Sequence, residues 1–171
     1  MVSLTWSLQR FLKALSSADP VPGGGSAAAL VGSMGCGLGS MVCRILLNRP
    51  AGLNRARMRP LDRARIRKSL KELEALGARL RRLIQEDAFA YRQWVEAARS
   101  GRGRARARKR AIEVPLAICE AAVKASGKLT PLSSLAGPFL RSDLKAGQAL
   151  LKGSFTAAWA MVEVNLKDLS R

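Results

Sequence analysis

The chain has 171 residues, of which 30 are Lys or Arg and 12 are Asp or Glu, so it carries a net charge of +18, and it has no histidine. The length suits one domain with a real core, while the missing histidines remove the usual neutral-pH proton shuttle and the commonest metal ligand. Cys36, Cys43 and Cys119 form no CxxC pair, so neither a disulfide framework nor a zinc centre is expected, and acid–base work falls to carboxylates, Lys, Tyr or Cys. The excess of positive charge points to an acidic partner, whether nucleic acid, an anionic membrane, another protein or a polyanionic small molecule, and does not choose among them.

About half the chain is apolar, dominated by Ala and Leu, which favours helices. Met1 to Ser16 lacks a basic start followed by an apolar run, so no signal peptide is expected and a cytoplasmic location follows. Leu4 to Leu15 reads as a short amphipathic helix with Leu4, Leu8, Phe11, Leu12 and Leu15 on one face, stopped by Pro20 and Pro22. A second helix runs from Gly25 or Ser26 to Leu47. Val21 to Cys43 holds no charge, a length that could span a bilayer. Its many glycines and few large side chains instead predict the central Gly/Ala-rich helix of a bundle, with Cys36 and Cys43 as small core residues. Asn48 to Pro60 reads as a loop.

A third helix is expected from Pro60, a favoured first-turn residue, to about Arg99. Ile66, Leu70, Leu73, Gly77, Leu80, Ile84, Asp87, Tyr91 and Trp94 step by three and four along one face. The basic Ser100–Arg110 segment leads to a fourth helix from about Ala105 to Ser126. Gly127 is expected to form a left-handed cap, and Pro115 a kink or break. The last helix, Ser142 to Leu169, carries the stripe Leu144, Gln148, Leu151, Phe155, Ala158, Val162, Asn165 and Leu169. The expected fold is all-α: one domain over residues 1–171, a bundle of about five helices.

Asp87 is the sharpest candidate for chemistry, because a carboxylate on an apolar stripe costs several kcal/mol (an order-of-magnitude figure) unless paired or hydrogen-bonded. It either meets an Arg or Lys of a neighbouring helix, faces a solvent-filled gap, or works as an acid–base group with a raised pKa. Pro22, Gly23, Gly24, Gly25 and Ser26 place glycines at a helix entrance, either as an anion-binding turn or as a plain turn with Ser26 as N-cap. Asp143 reads as a first-turn carboxylate suited to the helix dipole, or as a second functional acid. Asn165 is either a register device or a ligand hydrogen-bonder. The arginines of residues 99–110 permit nucleic-acid binding, although no recognised binding motif accompanies them.

The run from Phe11-Leu12 through Pro20-Val21-Pro22-Gly23-Gly24-Gly25-Ser26-Ala27-Ala28-Ala29-Leu30 to Met41-Val42 resembles the opening of the cyclodeaminase/cyclohydrolase family. Glu86-Asp87-Ala88-Phe89-Ala90-Tyr91, Val114-Pro115-Leu116, Ser142-Asp143-Leu144 and Val164-Asn165-Leu166 are similar to its later landmarks, in the same order. The resemblance implies a dimeric helical protein of folate one-carbon metabolism, with a tetrahydrofolate derivative as substrate rather than a permanently bound cofactor and with no metal. It implies hydrolysis of 5,10-methenyltetrahydrofolate to 10-formyltetrahydrofolate, or alternatively formiminotetrahydrofolate cyclodeamination with release of ammonia. A third possibility is a degenerate relative that binds a polyanion. Asp87 and Asp143 would be catalytic. Pro22, Gly23, Gly24, Gly25, Ser26 and Asn165 would hold the folate, and basic residues would attract a polyglutamyl tail. The chain departs from the family pattern at Arg44, Leu46, Arg99-Ser100-Gly101, Gly137-Pro138-Phe139 and Met161.

Overall fold

A computed structural model describes residues 2–48 and 59–167. Among them are five α-helices: α1 (Leu8–Leu15), α2 (Gly24–Asn48), α3 (Pro60–Ser100), α4 (Arg104–Leu129) and α5 (Pro138–Lys167), with a 3₁₀ turn at Thr130–Leu132 and no strand. The expected all-helical bundle is what forms. Most of the expected Asn48–Pro60 loop, and Leu169 of the last stripe, lie outside the described residues.

The first helix is shorter than its apolar pattern predicts. Ser7 caps α1 by accepting from the Arg10 backbone N–H, a bond that ends the preceding turn and starts the helix four residues late. Only Phe11 of the expected apolar face is buried in α1; Leu4, Leu8 and Leu12 are exposed.

Helices α2 to α5 form the bundle, with α2 and α4 each packed between α3 and α5. The composition of α2 explains its position. A Cβ built on Gly35 would stand 2.8 Å from a Leu151 carbon and 2.9 Å from the Gly147 carbonyl oxygen, so only glycine admits α5 this close. Overpacking there would cost about 1–3 kcal/mol. Ser154 on α5 donates to the Ala28 carbonyl at 2.7 Å, satisfying a buried hydroxyl at the same seam. By length and composition α2 could cross a membrane, but one side of it is consumed by α3 and α5. Cys36 and Cys43 lie on that side, both buried.

The α3–α4 connection uses two glycines in left-handed conformations, Gly101 (φ 74°) and Gly103 (φ 67°), where a side chain would be strained. Arg104 then folds back, donating to the Ala97 and Ala98 carbonyls at 3.4 and 2.9 Å, and so caps the C-terminus of α3. Arg99 pairs with Glu96, Lys109 with Glu113, and the Arg110 guanidinium lies 5.3 Å over the Phe89 ring. Much of the basic 99–110 segment therefore has local work within the hairpin.

Two expectations about the later helices are corrected. α4 continues through Gly127 to Leu129, because Gly127 keeps helical geometry and Thr130-Pro131 carries the turn onward as 3₁₀. α5 begins at Pro138, a turn earlier than Ser142, so Asp143 is not a first-turn residue. Its stripe is buried at Leu144, Leu151, Ala158 and Val162, while Phe155 is partly exposed and stacks on Trp159 at 6.2 Å.

Candidate active site

The apolar stripe of α3 leaves the core at Asp87. Ile66, Leu73, Leu80 and Ile84 are buried, whereas Asp87, Tyr91 and Trp94 continue the same face into a cavity of about 330 Å³. The glycine turn, Ala90, Ala111, Met161, Val164 and Asn165 close its other walls. Three-and-four periodicity thus runs past the end of the core and lines a pocket with the same helix face. Tyr91 and Trp94 belong to the cavity rather than to packing.

Gly25 fixes how closely Asp87 meets α2. A Cβ on Gly25 would fall 2.0 Å from Asp87 Oδ1, so the bare backbone is what lets the carboxyl sit against the first turn of α2. That turn is the positive end of the helix dipole, with backbone N–H groups free of helical partners. The anion-binding reading of the glycine turn is therefore met from within, by a carboxylate of this chain. Ser26 is the third residue of α2 and not its N-cap. Its hydroxyl lies 2.8 Å from Asp87 Oδ2 and 3.0 Å from the Ile84 carbonyl oxygen.

This arrangement has a protonation consequence. A serine hydroxyl carries one proton and here faces two acceptors. When Asp87 is protonated, it donates to Ser26 Oγ, and Ser26 donates to Ile84, so every partner is satisfied. When Asp87 is ionised, Ser26 must leave one acceptor short. Burial pushes the Asp87 carboxyl above the ordinary carboxylate range, with the Ser26 hydroxyl and backbone N–H pulling the other way. Among the described residues Asp87 makes no ion pair. Asp62, also on α3, shows the opposite case, because the Arg59 guanidinium holds its carboxyl below the usual range. A neutral-pH proton carrier needs the first environment.

Asn165 and Pro115 form the second element of the site. Pro115 has no N–H to give the carbonyl four residues back, which is Ala111. Asn165 Nδ2 donates to that Ala111 oxygen at 2.7 Å, so α4 passes through Pro115 without the expected break. The bond holds the Asn165 amide at the cavity wall. Met161 stands against the other side of the turn, its sulfur 3.1 Å from a Cβ built on Gly24.

Of the residues singled out from sequence, the structure gathers Gly23, Gly24, Gly25, Asp87 and Asn165 on one cavity, with Ser26 bonded to Asp87 and Pro22 within the turn. Asp143 is not brought there. It lies 18 residues from Met161 on the same helix, about 27 Å at 1.5 Å per residue. Among the departures from the family pattern, Arg44 pairs with Glu74 and Leu46 is buried in the core. Neither touches the cavity; Met161 does. Sequence reasoning missed the Ala111 carbonyl, although Pro115 marked it.

These features define an all-helical protein whose ligand-sized cavity carries a single carboxyl at a helix N-terminus. Residues 7–170 match the family Formiminotransferase-cyclodeaminase, and the chain belongs to it. It is 28% identical over 174 residues to formimidoyltransferase-cyclodeaminase of Sus scrofa, covering 95% of this chain and 31% of that protein. It is 33% identical over 85 residues to methenyltetrahydrofolate cyclohydrolase of Methylorubrum extorquens, covering 50% of this chain and 38% of the relative. The chain thus spans about a third of the curated relatives it matches. The fold is that of the formiminotetrahydrofolate cyclodeaminase of Thermotoga maritima, with a TM-score of 0.85 at 24% identity over 96% of this chain and 80% of that one.

Proposed function

We propose that the chain is an enzyme of folate one-carbon metabolism that hydrolyses 5,10-methenyltetrahydrofolate to 10-formyltetrahydrofolate. The observation that carries this reading is the Asp87–Ser26 pair on the cavity wall. Ionised Asp87 faces the cationic amidinium carbon, stabilises its charge and accepts a proton from the water that adds there. Opening of the adduct breaks one carbon–nitrogen bond, and the proton held by Asp87 passes to the departing nitrogen. The adduct hydroxyl gives up its own proton as it becomes the formyl carbonyl, and that proton leaves to solvent, balancing the charge lost by the cation. Tyr91 and Trp94 offer aromatic faces to the ring system, and Asn165 a polar anchor. The substrate is a polyglutamylated folate, the setting is the cytoplasm, and no resident cofactor or metal takes part.

The formiminotetrahydrofolate cyclodeaminase reaction is the second reading. Here N10 closes on the formimino carbon and ammonia leaves, which needs a donor for the departing nitrogen. Protonated Asp87, the form the Ser26–Ile84 relay accommodates best, supplies it. Asp143 enters neither sequence of steps. Loss of methenyltetrahydrofolate absorbance, measured beside ammonia release from formiminotetrahydrofolate, separates the two. Wild-type protein that matches Asp87→Ala and buffer in both assays would sink the enzyme reading.

A further inference from the structure

A second concavity lies between α2 and α3, away from Asp87. Gly77 falls in the buried stripe of α3 and faces Cys36 of α2, where a Cβ on the glycine would stand 3.2 Å from the Cys36 Cβ. Gly37, beside it on α2, also contributes no side chain. The seam there opens into a cleft of about 370 Å³ lined by Ser33, Cys36, Ser40, Arg44, Glu74 and Arg81. It shares no lining residue with the cavity at Asp87.

The polar groups of this cleft are not spent on one another. Of the three serines on α2, Ser26 and Ser33 each have a partner at 2.8 Å, Asp87 and the Leu30 carbonyl. Ser40 is only 5% exposed and has no hydrogen-bond partner among the described residues. A serine inside a helix commonly donates to a carbonyl one turn back, and a buried hydroxyl without a partner is uncommon. Arg81 also makes no hydrogen bond or ion pair among the described residues. Its guanidinium folds back over Gly77, with Nη1 3.5 Å from a Cβ built there. Burial lifts the Cys36 thiol to about 11, and the Arg81 charge pulls against that rise. Arg44 and Glu74 pair with each other through Glu74 Oε1, so Arg81 leaves the cleft one net positive charge.

These groups ask for a ligand of mixed character. Arg81 and the Ser40 hydroxyl supply donors, which suit an oxyanion. Ser33 Oγ, its proton already given to Leu30, and Glu74 Oε2 supply only lone pairs, which need a donor on the ligand. An oxyanion that keeps a proton answers both, whereas a fully deprotonated one meets Glu74 by repulsion. We infer that the cleft binds hydrogen phosphate, its bare oxygens on Arg81 and Ser40 and its P–OH toward Ser33 and Glu74. The volume is at the small end for ligand sites, enough for the ion with water around it. Inorganic phosphate still carries a proton at neutral pH, whereas a phosphomonoester loses its last one near pH 6. The free ion is therefore the expected occupant. The inference does not depend on the folate reading and stands if that reading fails.

Titration calorimetry in chloride buffer at neutral pH is expected to show one saturable site for inorganic phosphate, with sulfate at least about tenfold weaker. Arg81→Gln should weaken phosphate by about tenfold or more, and so should the milder Ser40→Ala. Arg82→Gln, which removes the neighbouring arginine outside the cleft, should leave it unchanged. Glu74→Gln, whose amide can donate, should let sulfate bind as well as phosphate. Equal binding of sulfate and phosphate by the wild type would overturn the inference. So would equal losses in Arg81→Gln and Arg82→Gln, which would mark the ions as general counterions of a basic chain. Glycerol 3-phosphate that binds more tightly than phosphate at neutral pH would overturn it as well, by showing that no ligand proton is needed.

Discussion

Asn165 gives the backbone of α4 the hydrogen bond that Pro115 withholds, reaching the Ala111 carbonyl at 2.7 Å from a helix 54 residues away in sequence. Asn165→Ala leaves that carbonyl without its donor and should cost about 1–3 kcal/mol. In a Pro115→Ala background the restored N–H can serve Ala111, and the same substitution should cost measurably less. Urea unfolding of the four proteins in this cycle reads the coupling. Equal costs in both backgrounds would show that Asn165 acts elsewhere.

Gly25→Ala should separate fold from chemistry. The new Cβ would occupy the place of Asp87 Oδ1, and the carboxyl can escape only by swinging into the cavity, away from Ser26. Misplacing a reacting group by about 1 Å typically costs ~10²-fold in rate. A loss of that order is expected in the methenyltetrahydrofolate assay, with a cooperative thermal transition retained. Activity within a fewfold of wild type would mean the Gly25–Asp87 contact is not needed.

The fold was largely legible in sequence and the site only partly so. Pro60 announced the start of α3 because its fixed φ suits a first helical turn. Gly127 was misleading, since a glycine can also continue a helix when the next turn holds it, as Thr130 and Pro131 do here. Asp87 stood out as a charge on an apolar stripe. Its partner did not, because a serine three residues into a helix reads as a cap or a core residue equally well. Nor does periodicity tell a stripe that fills a core from one that lines a cavity, which is the difference between Ile84 and Tyr91.

Stability should record the Asp87 proton. Its folded pKa is raised above the unfolded value, so the native state binds that proton more tightly. The resulting stabilisation is full below the ordinary carboxylate range and is lost as pH rises through the folded pKa. Asp87→Asn should therefore gain thermal stability relative to wild type as pH rises above the ordinary carboxylate range. A difference between the two that stays constant with pH would contradict the assignment.

Ser26→Ala removes one of the two groups that draw the Asp87 pKa down. The pH midpoint of activity is expected to move upward, whereas Asp143→Asn, ~27 Å along α5 from Met161 of the cavity wall, should leave it in place because screening removes influence at that range. A midpoint that follows Asp143 would place that residue beside the cavity.

Cys36, Cys43 and Cys119 are all buried, and burial lifts the first two thiols to about 11. Both thiol access and thiolate formation are therefore denied while the bundle is closed. A thiol-reactive dye added to the native protein would react only as fast as the molecule opens. The seam between α2 and its neighbours thus carries a clock for its own unfolding, one that needs no engineered label and also reports a ligand that slows the opening.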